Sequence, residues 1–334
     1  MQLRNNRTPM TPDGKRAPTI ADCHRETLGI EGMSVRTVIG SGSYGTVVLY
    51  QSAKKKVAVK SMVCTKESQK HDALQEVKML KLLQSCPHVI DYVADLFDEN
   101  EVHHVAMDSA LKDFTALIDN LSARKAKAYY KQLIAGVDFM HRLGFAHRDL
   151  KTPNLLLGRD GLLKICDFNM ACCFVSEDGV SLFFKGVCGT EEYQPPEMFV
   201  EHDKYCPRSY DIWACGIILY EFFAGDLPWD CAKGTQKSYL DFACGVSIPS
   251  LTPQQEALFR FICKPEWDKR PRIKEIVDHP FLKDRSRNSL TPKTPRTPLG
   301  PAQINDNTPV AIPKARKRMI QAETPVDAKR VNLG

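Results

Sequence analysis

The sequence predicts an α+β, two-lobed fold in which a small β-rich lobe leads into a larger helical one. Short runs rich in β-branched residues crowd the first third of the chain, around Val35–Ile39, Thr46–Tyr50, Val57–Val59 and Val102–Met107, the composition of pleated, half-buried strands. Long helical patterns follow, at 122–143 and 211–223. With 334 residues and 43% hydrophobic content, the chain is long enough for one such domain with room for tails.

Residues 1–32 mix Pro, Thr, Asn and charge without sustained periodicity and include Thr8-Pro9 and Thr11-Pro12, so a disordered N-terminal arm is expected. The first strand is expected near Met33 and runs into Gly40-Ser41-Gly42-Ser43-Tyr44-Gly45. Dinucleotide-binding proteins place the same G-x-G-x-x-G spacing between a strand and a helix. Here the sequel Thr46-Val47-Val48-Leu49-Tyr50 is β-branched, and the loop is expected to join two strands. Val57-Ala58-Val59-Lys60 is a short apolar strand ending in lysine. From Glu67 to Leu83 a helix is expected with Leu74, Val77 and Leu80 on one face and Glu76 beside that stripe. Val102–Met107 is the strand closing the small lobe, and Asp108-Ser109-Ala110 the hinge.

Ser122 is a helix N-cap, Tyr130, Leu133, Ile134, Val137 and Met140 face inward from the helix it starts, and Gly144 stops that helix. The runs Leu155–Leu157 and Leu162–Cys166, joined by Gly158-Arg159-Asp160-Gly161, read as a hairpin that returns Asn154 and Asp167 to the same end. Asp211 to Phe223 is apolar on nearly every side, as a central buried helix should be, and His279–Leu282 is expected to belong to the last helix.

Taken alone, His147-Arg148-Asp149 reads as a surface turn with a buried imidazole, and Lys60 as a solvated lysine on an edge strand. Their company changes the reading. The glycine loop, Val57-Ala58-Val59-Lys60, His147-Arg148-Asp149-Leu150-Lys151-Thr152-Pro153-Asn154, Asp167-Phe168-Asn169 and Pro195-Pro196-Glu197 occur in that order. The combination resembles the eukaryotic Ser/Thr protein kinase family over about residues 33–283. The phrases Cys188-Gly189-Thr190 and Ala224-Gly225-Asp226-Leu227-Pro228-Trp229-Asp230 are similar to the calcium/calmodulin-type group, and within it to the checkpoint kinases.

The resemblance implies a small lobe over about 33–108, a large lobe over about 109–284, and ATP and Mg2+ held between them. Asp149 would accept the proton of a substrate hydroxyl, Lys151 and Lys60 would steady the phosphates, and Asn154 and Asp167 would be the metal ligands. Lys60 would pair with Glu76, Met107 would guard the rear of the pocket, and hinge backbone at Asp108 and Ala110 would meet adenine. Gly40, Ser41, Gly42, Ser43, Tyr44, Gly45, Val47, Ala58, Asp113 and Leu156 would complete the nucleotide site, Asp113 lying near the ribose. Thr190 would contact the catalytic loop, Arg148 would take a phosphate on the following segment, Asp211 would tie down loop backbone, and Arg270 would pair with Glu197. Protein substrates with Ser or Thr acceptors are implied partners.

Two departures stand out: the glycine pair after the hinge is missing, and Asn169 replaces a glycine. That glycine position often needs backbone angles costing an ordinary L-residue roughly 1–2 kcal/mol, which Asn tolerates better than other side chains. Asn169 is thus the one sequence feature favouring the rival reading, a pseudokinase scaffold that binds partners without transferring phosphate.

The formal charge of +6 is concentrated late in the chain. Residues 285–334 hold ten Lys/Arg against three Asp/Glu, so basicity belongs to a disordered, Thr-Pro-rich tail rather than to a fold-wide nucleic-acid surface. Weak nucleic-acid binding through that tail is the third reading. Thr291, Thr294, Thr297, Thr308 and Thr324 each precede proline, the pattern an upstream proline-directed kinase would use, and Lys314–Arg318 fits a nuclear import signal. No run approaches about 20 apolar residues, and the polar start lacks a signal-peptide core. Residence in the nucleus or cytoplasm, no membrane, and a monomer are expected. The twelve cysteines show no C-x-x-C pair, so reduced thiols are expected.

Overall fold

β-branched residues alternating with small and polar ones build the first sheet. The computed structural model describes residues 20–42, 45–176, 178–200 and 204–283. A short helix α1 (Asp22–Arg25) precedes strands β1 (Ser34–Gly42), β2 (Gly45–Gln51) and β3 (Lys56–Val63), and helix α2 (Glu67–Leu83) separates these from β4 (Tyr92–Phe97) and β5 (Val102–Asp108). The five strands form one antiparallel sheet in the order β1-β2-β3-β5-β4. The glycine loop therefore links two strands, as the β-branched sequel predicts. Gly45 sits at φ 108, and a Cβ there would collide with the carbonyl oxygen of Ser61, so only glycine fits this end of the loop.

Period-two alternation sorts β3 and β5 between two faces. Val57, Val59 and Ala106 point to an outer cluster, whereas Val105 packs toward Val77 and Leu80 of α2. The outer cluster is covered by Ile20, Leu28, Ile30 and Met33. This corrects the expected arm over 1–32: Leu28 and Ile30 are both fully buried, and residues 20–32 belong to the small lobe because the sheet would otherwise leave that face wet. The missed signal was three isolated apolar residues with no repeat. Residues 1–19 and the tail from 284 lie outside the described residues.

Helix α2 keeps its predicted limits, and the Gln69 side chain accepts the Lys66 amide at its start. Its buried face carries Ala73, Glu76, Val77, Leu80 and Leu83, but Leu74 is 46% exposed, correcting its place on the predicted stripe.

The large lobe opens with β6 (Lys112–Asp113) and helix α3 (Ala123–Arg142), capped by Ser122 Oγ, which accepts the Lys125 amide. All five residues predicted to face inward from α3 are buried. Strands β7 (Phe145–Ala146), β8 (Leu155–Leu157), β9 (Leu163–Ile165) and β10 (Cys172–Cys173) make two small sheets, β6-β8-β9 and β10-β7. Helix α4 (Pro207–Ala224) is buried along nearly its whole circumference and ends on Gly225 at φ 78. Helices α5 (Lys237–Ala243), α6 (Pro253–Ile262) and α7 (Ile273–Val277) close the lobe. The expected helix at His279–Leu282 is instead a turn after α7, since Pro280 cannot continue a helix. None of the eleven described cysteines is in a disulfide.

Backbone bonds stitch the lobes together: Ile90 donates to Ile165 O and Ile165 to His88 O, at 2.9 and 2.8 Å. Everything that matters next lies beside this seam.

Candidate active site

β3 carries Lys60 on the face opposite Val57 and Val59, so its amine points under the sheet rather than to solvent. Lys60 Nζ lies 2.9 and 3.1 Å from the two oxygens of Glu76 on α2 and 2.9 Å from Asp167 Oδ1. Burial of Lys60 works against its charged form, but Glu76 and Asp167 more than offset it and hold its pKa above the usual lysine value. Three residues from distant parts of the sequence thus form one ionic cluster.

A second cluster forms on the loop after β7. Asp149 Oδ1 accepts the Thr190 hydroxyl at 2.8 Å, and Oδ2 lies 2.8 Å from Lys151 Nζ and 3.2 Å from Asn154 Nδ2. Lys151 also donates to Thr190 Oγ1 at 2.6 Å, fixing that hydroxyl as acceptor from Lys151 and donor to Asp149. A carboxylate oxygen has two lone pairs, so Oδ1 keeps one free to take a proton. The two clusters meet where the β8–β9 hairpin closes: the Cys166 amide donates to Asn154 O at 3.0 Å, and His147 Nε2 lies 3.0 Å from Cys166 O.

The backbone here is held in shapes ordinary residues avoid. Arg148 has φ 63 and Asp167 φ 66, each costing roughly 1–2 kcal/mol for an L-residue. Asp211, fully buried on α4, supports the first by accepting the amides of His147 and Arg148, each at 2.8 Å. That is the restraining role the sequence implied. Asn169, by contrast, is absent from the left-handed region, so the backbone penalty anticipated at the glycine position does not arise.

Arg148 ties the catalytic loop to the segment that follows it. Its guanidinium donates to Met170 O at 2.6 Å and Tyr205 Oη at 2.9 Å, and stacks 5.3 Å from the Phe184 ring centroid. Those contacts hold the segment through neutral groups. Tyr205 was missed because nothing in its sequence surroundings marks it.

Strand pairing places most of the remaining predicted residues. Gly40, Ser41 and Gly42 close β1 opposite Val47, Thr46 and Gly45 of β2, and Val47 also pairs with Lys60. Ser43 and Tyr44 lie outside the described residues. Ala58 faces Met107 across β3 and β5, and Asp113 faces Leu156 across β6 and β8. Asp108 accepts the Ser109 amide at 2.9 Å and Asp113 the Ala116 amide at 2.9 Å, while Ala110 lies in the connection between β5 and β6.

The donor set fits a hard divalent cation. Asn154 commits its amide nitrogen to Asp149 O at 2.8 Å and to Asp149 Oδ2, which leaves its carbonyl oxygen as a ligand. Asp167 Oδ1 is taken by Lys60 and Asn169, whereas Oδ2 has no donor among the described residues. Oxygen donors of this kind suit magnesium.

Beneath the loop lies a network the sequence did not disclose. Glu221 of α4 accepts Thr152 Oγ1 at 3.0 Å and Tyr193 Oη at 2.8 Å. Burial pushes its carboxyl up to about 7, partly opposed by the Tyr193 and Thr152 hydrogen bonds. The native state therefore holds a proton on Glu221 between the ordinary carboxyl range near 4.5 and about 7, and the unfolded state does not. Stability from this group is complete below that window and falls by about 3 kcal/mol as pH rises through it. Urea unfolding at pH 5 and pH 8 should show Glu221→Gln flattening that slope; an unchanged slope would contradict the assignment.

The family described as "Protein kinase domain" matches residues 33–282. The chain is 33% identical over 212 residues to the serine/threonine-protein kinase chk1 of Schizosaccharomyces pombe, covering 62% of this chain and 39% of that protein. It is 32% identical over 258 residues to CBL-interacting protein kinase 8 of Oryza sativa, covering 75% and 57%. With the serine/threonine-protein kinase grp of Drosophila melanogaster it shares 32% identity over 208 residues, covering 60% and 40%. The chain thus spans 39% to 57% of these relatives' lengths.

Proposed function

This chain belongs to the protein kinase family, and from that membership we propose that it transfers the γ-phosphoryl group of ATP to serine or threonine hydroxyls of protein substrates. The observation that carries the reading is the pair of clusters at one seam, Lys60–Glu76–Asp167 and Asp149–Lys151–Thr190. ATP would supply the transferable group, and magnesium, which Asn154 and Asp167 would hold, would neutralise phosphate charge. Asp149 aligns the attacking hydroxyl and takes its proton on the free lone pair of Oδ1. Lys151, 2.8 Å from Asp149, supplies positive charge beside that oxygen, where negative charge spreads during transfer. Lys60 is kept cationic by Glu76 and steadies the non-transferred phosphates. Thr190 locks Asp149 and Lys151 together, which commits the site to aliphatic hydroxyl acceptors.

The test is incorporation of labelled phosphate into mixed protein substrates by the purified full chain, beside an Asp149→Ala control. Counts well above the control are expected; equal counts would favour the scaffold reading, whose one sequence support, Asn169, shows no backbone strain.

Several finer readings rest on the same site. Ser176 and Ser181 are the serines of the segment from Met170 to Glu197, and because Arg148 is already engaged by Tyr205, Met170 and Phe184, a Ser176→Ala, Ser181→Ala double variant should retain most of the activity. Asp113 beside the cleft favours substrates with an upstream arginine, which a peptide array would reveal. A role in checkpoint or cell-cycle signalling draws support from the resemblance at Cys188–Thr190 and 224–230. Regulation by an upstream proline-directed kinase on the Thr-Pro tail and nuclear residence through 314–318 rest on sequence outside the described residues, and a monomer is proposed because nothing in the sequence requires more. Nuclear localisation unchanged on neutralising residues 314–318 would remove the import signal.

A further inference from the structure

We propose that Asn169 is a positioning residue for Asp167, taking up one carboxylate oxygen and reserving the other for the catalytic cation. The inference rests on reading the cleft as a magnesium- and ATP-binding kinase site.

Asn169 Nδ2 lies 2.6 Å from Asp167 Oδ1, the same oxygen that Lys60 Nζ reaches at 2.9 Å. An ionised carboxylate only accepts, so the Asn169 amide must present its NH2 side. The bond is charge-assisted, which makes it short and strong. With two donors, both lone pairs of Oδ1 are occupied. Oδ2 meets no donor among the described residues and is the oxygen left for a cation.

Backbone geometry supports the same role. Asp167 occupies the left-handed region at φ 66, whereas Asn169 does not. The side-chain bond spans the buried Phe168 and closes a ring that pins Asp167 in its unusual conformation. Glycine, the family's residue at this position, has no side chain with which to make that bond. Asn169 therefore does more than fill a glycine position without penalty: it replaces backbone freedom with a tether.

The chemical consequence follows from coordination. A carboxylate with two unoccupied oxygens can grip a cation bidentately or share itself between two cations. Asp167 with Oδ1 occupied offers a single-oxygen contact whose direction is set before the metal arrives. Preorganisation of this kind raises affinity by lowering the ordering cost of binding.

The experiment measures binding rather than turnover. Affinity of the full chain for a non-hydrolysable ATP analogue, adenylyl imidodiphosphate, is determined by calorimetry with EDTA and with saturating Mg2+, for wild type, Asn169→Ala and Asn169→Gly. In Asn169→Ala, which removes the donor but leaves an ordinary backbone, magnesium should tighten binding about five- to tenfold less than in wild type. Metal-free affinity and melting temperature should stay close to wild type, and Asn169→Gly should lose at least as much.

Equal metal dependence in wild type and Asn169→Ala would overturn the proposal. So would a loss confined to Asn169→Gly, which would locate the effect in the backbone, or a parallel weakening with and without metal, which would mark a general structural role. A wild-type chain that binds no nucleotide, or binds it without regard to Mg2+, would instead bring down the kinase reading itself.

Discussion

An Asp149→Asn variant should lose about 10²–10⁴-fold in kcat while keeping its fold and its affinity for ATP, because general-base catalysis is worth about that much. The substitution changes almost no volume. It replaces an acceptor-only group, whose oxygens face Thr190, Lys151 and Asn154, with one that presents an NH2 to partners that need an acceptor. The free lone pair on Oδ1 that receives the substrate proton loses its basicity. Lys60, Glu76 and Asp167 are untouched, so nucleotide affinity measured by calorimetry should be nearly unchanged. Steady-state kinetics on a Ser-containing protein substrate supply kcat. A rate within a few-fold of wild type would show that Asp149 does not receive the proton, and a collapse of nucleotide affinity would show that its role is structural.

The second large effect is on stability. Arg270 meets Glu197 through a two-pronged contact, Nη1 to Oε1 at 2.7 Å and Nη2 to Oε2 at 2.6 Å, with both side chains almost wholly buried. It also donates to the carbonyls of Lys264, Ser209 and Pro265 and lies 4.9 Å from the Trp213 ring centroid. Arg270→Ala strands the Glu197 carboxylate and three carbonyl acceptors in the core. The expected cost is about 3–5 kcal/mol, a fall in melting temperature on the order of 10 °C for a domain of this size. Arg270→Lys keeps the charge but not the planar fork and should recover only part of the loss. Thermal unfolding of the three proteins decides it: equal melting temperatures for Arg270→Ala and wild type would mean the pair contributes nothing net. Activity should decline only as folded protein declines, since neither residue touches the cleft.

These two predictions draw on different sources of information. That Lys60, Glu76 and Asp167 would meet, and Asp149 and Asn154 beside them, was legible in the sequence because each sits in a short motif whose spacing is fixed locally. The β8–β9 hairpin could be read from two apolar runs around a Gly-Arg-Asp-Gly turn, and it brought Asn154 and Asp167 to one end as expected. Helix α3 was legible from its cap and its 3.6-residue repeat.

Residues 20–32 were not legible, because three separated apolar residues have no period and are committed only by the outer sheet face they cover. Leu74 shared the apolar repeat of α2 yet stays exposed, since the sheet covers less of the helix than the repeat suggests. The contact of Arg148 with Tyr205, 57 residues later, was not legible either, because no motif marks that tyrosine.

By itself, then, the sequence determined which chemistry this protein is equipped for, because reactive groups and their local spacing are written into single short motifs. Only the tertiary structure decided how those groups are restrained: that burial raises the pKa of Glu221, that Arg148 is held by neutral partners, and that Asn169 binds Asp167 without strain. Hydrogen-bond direction, burial and the dihedral angle at one residue arise when distant segments are packed together, and no linear pattern encodes them.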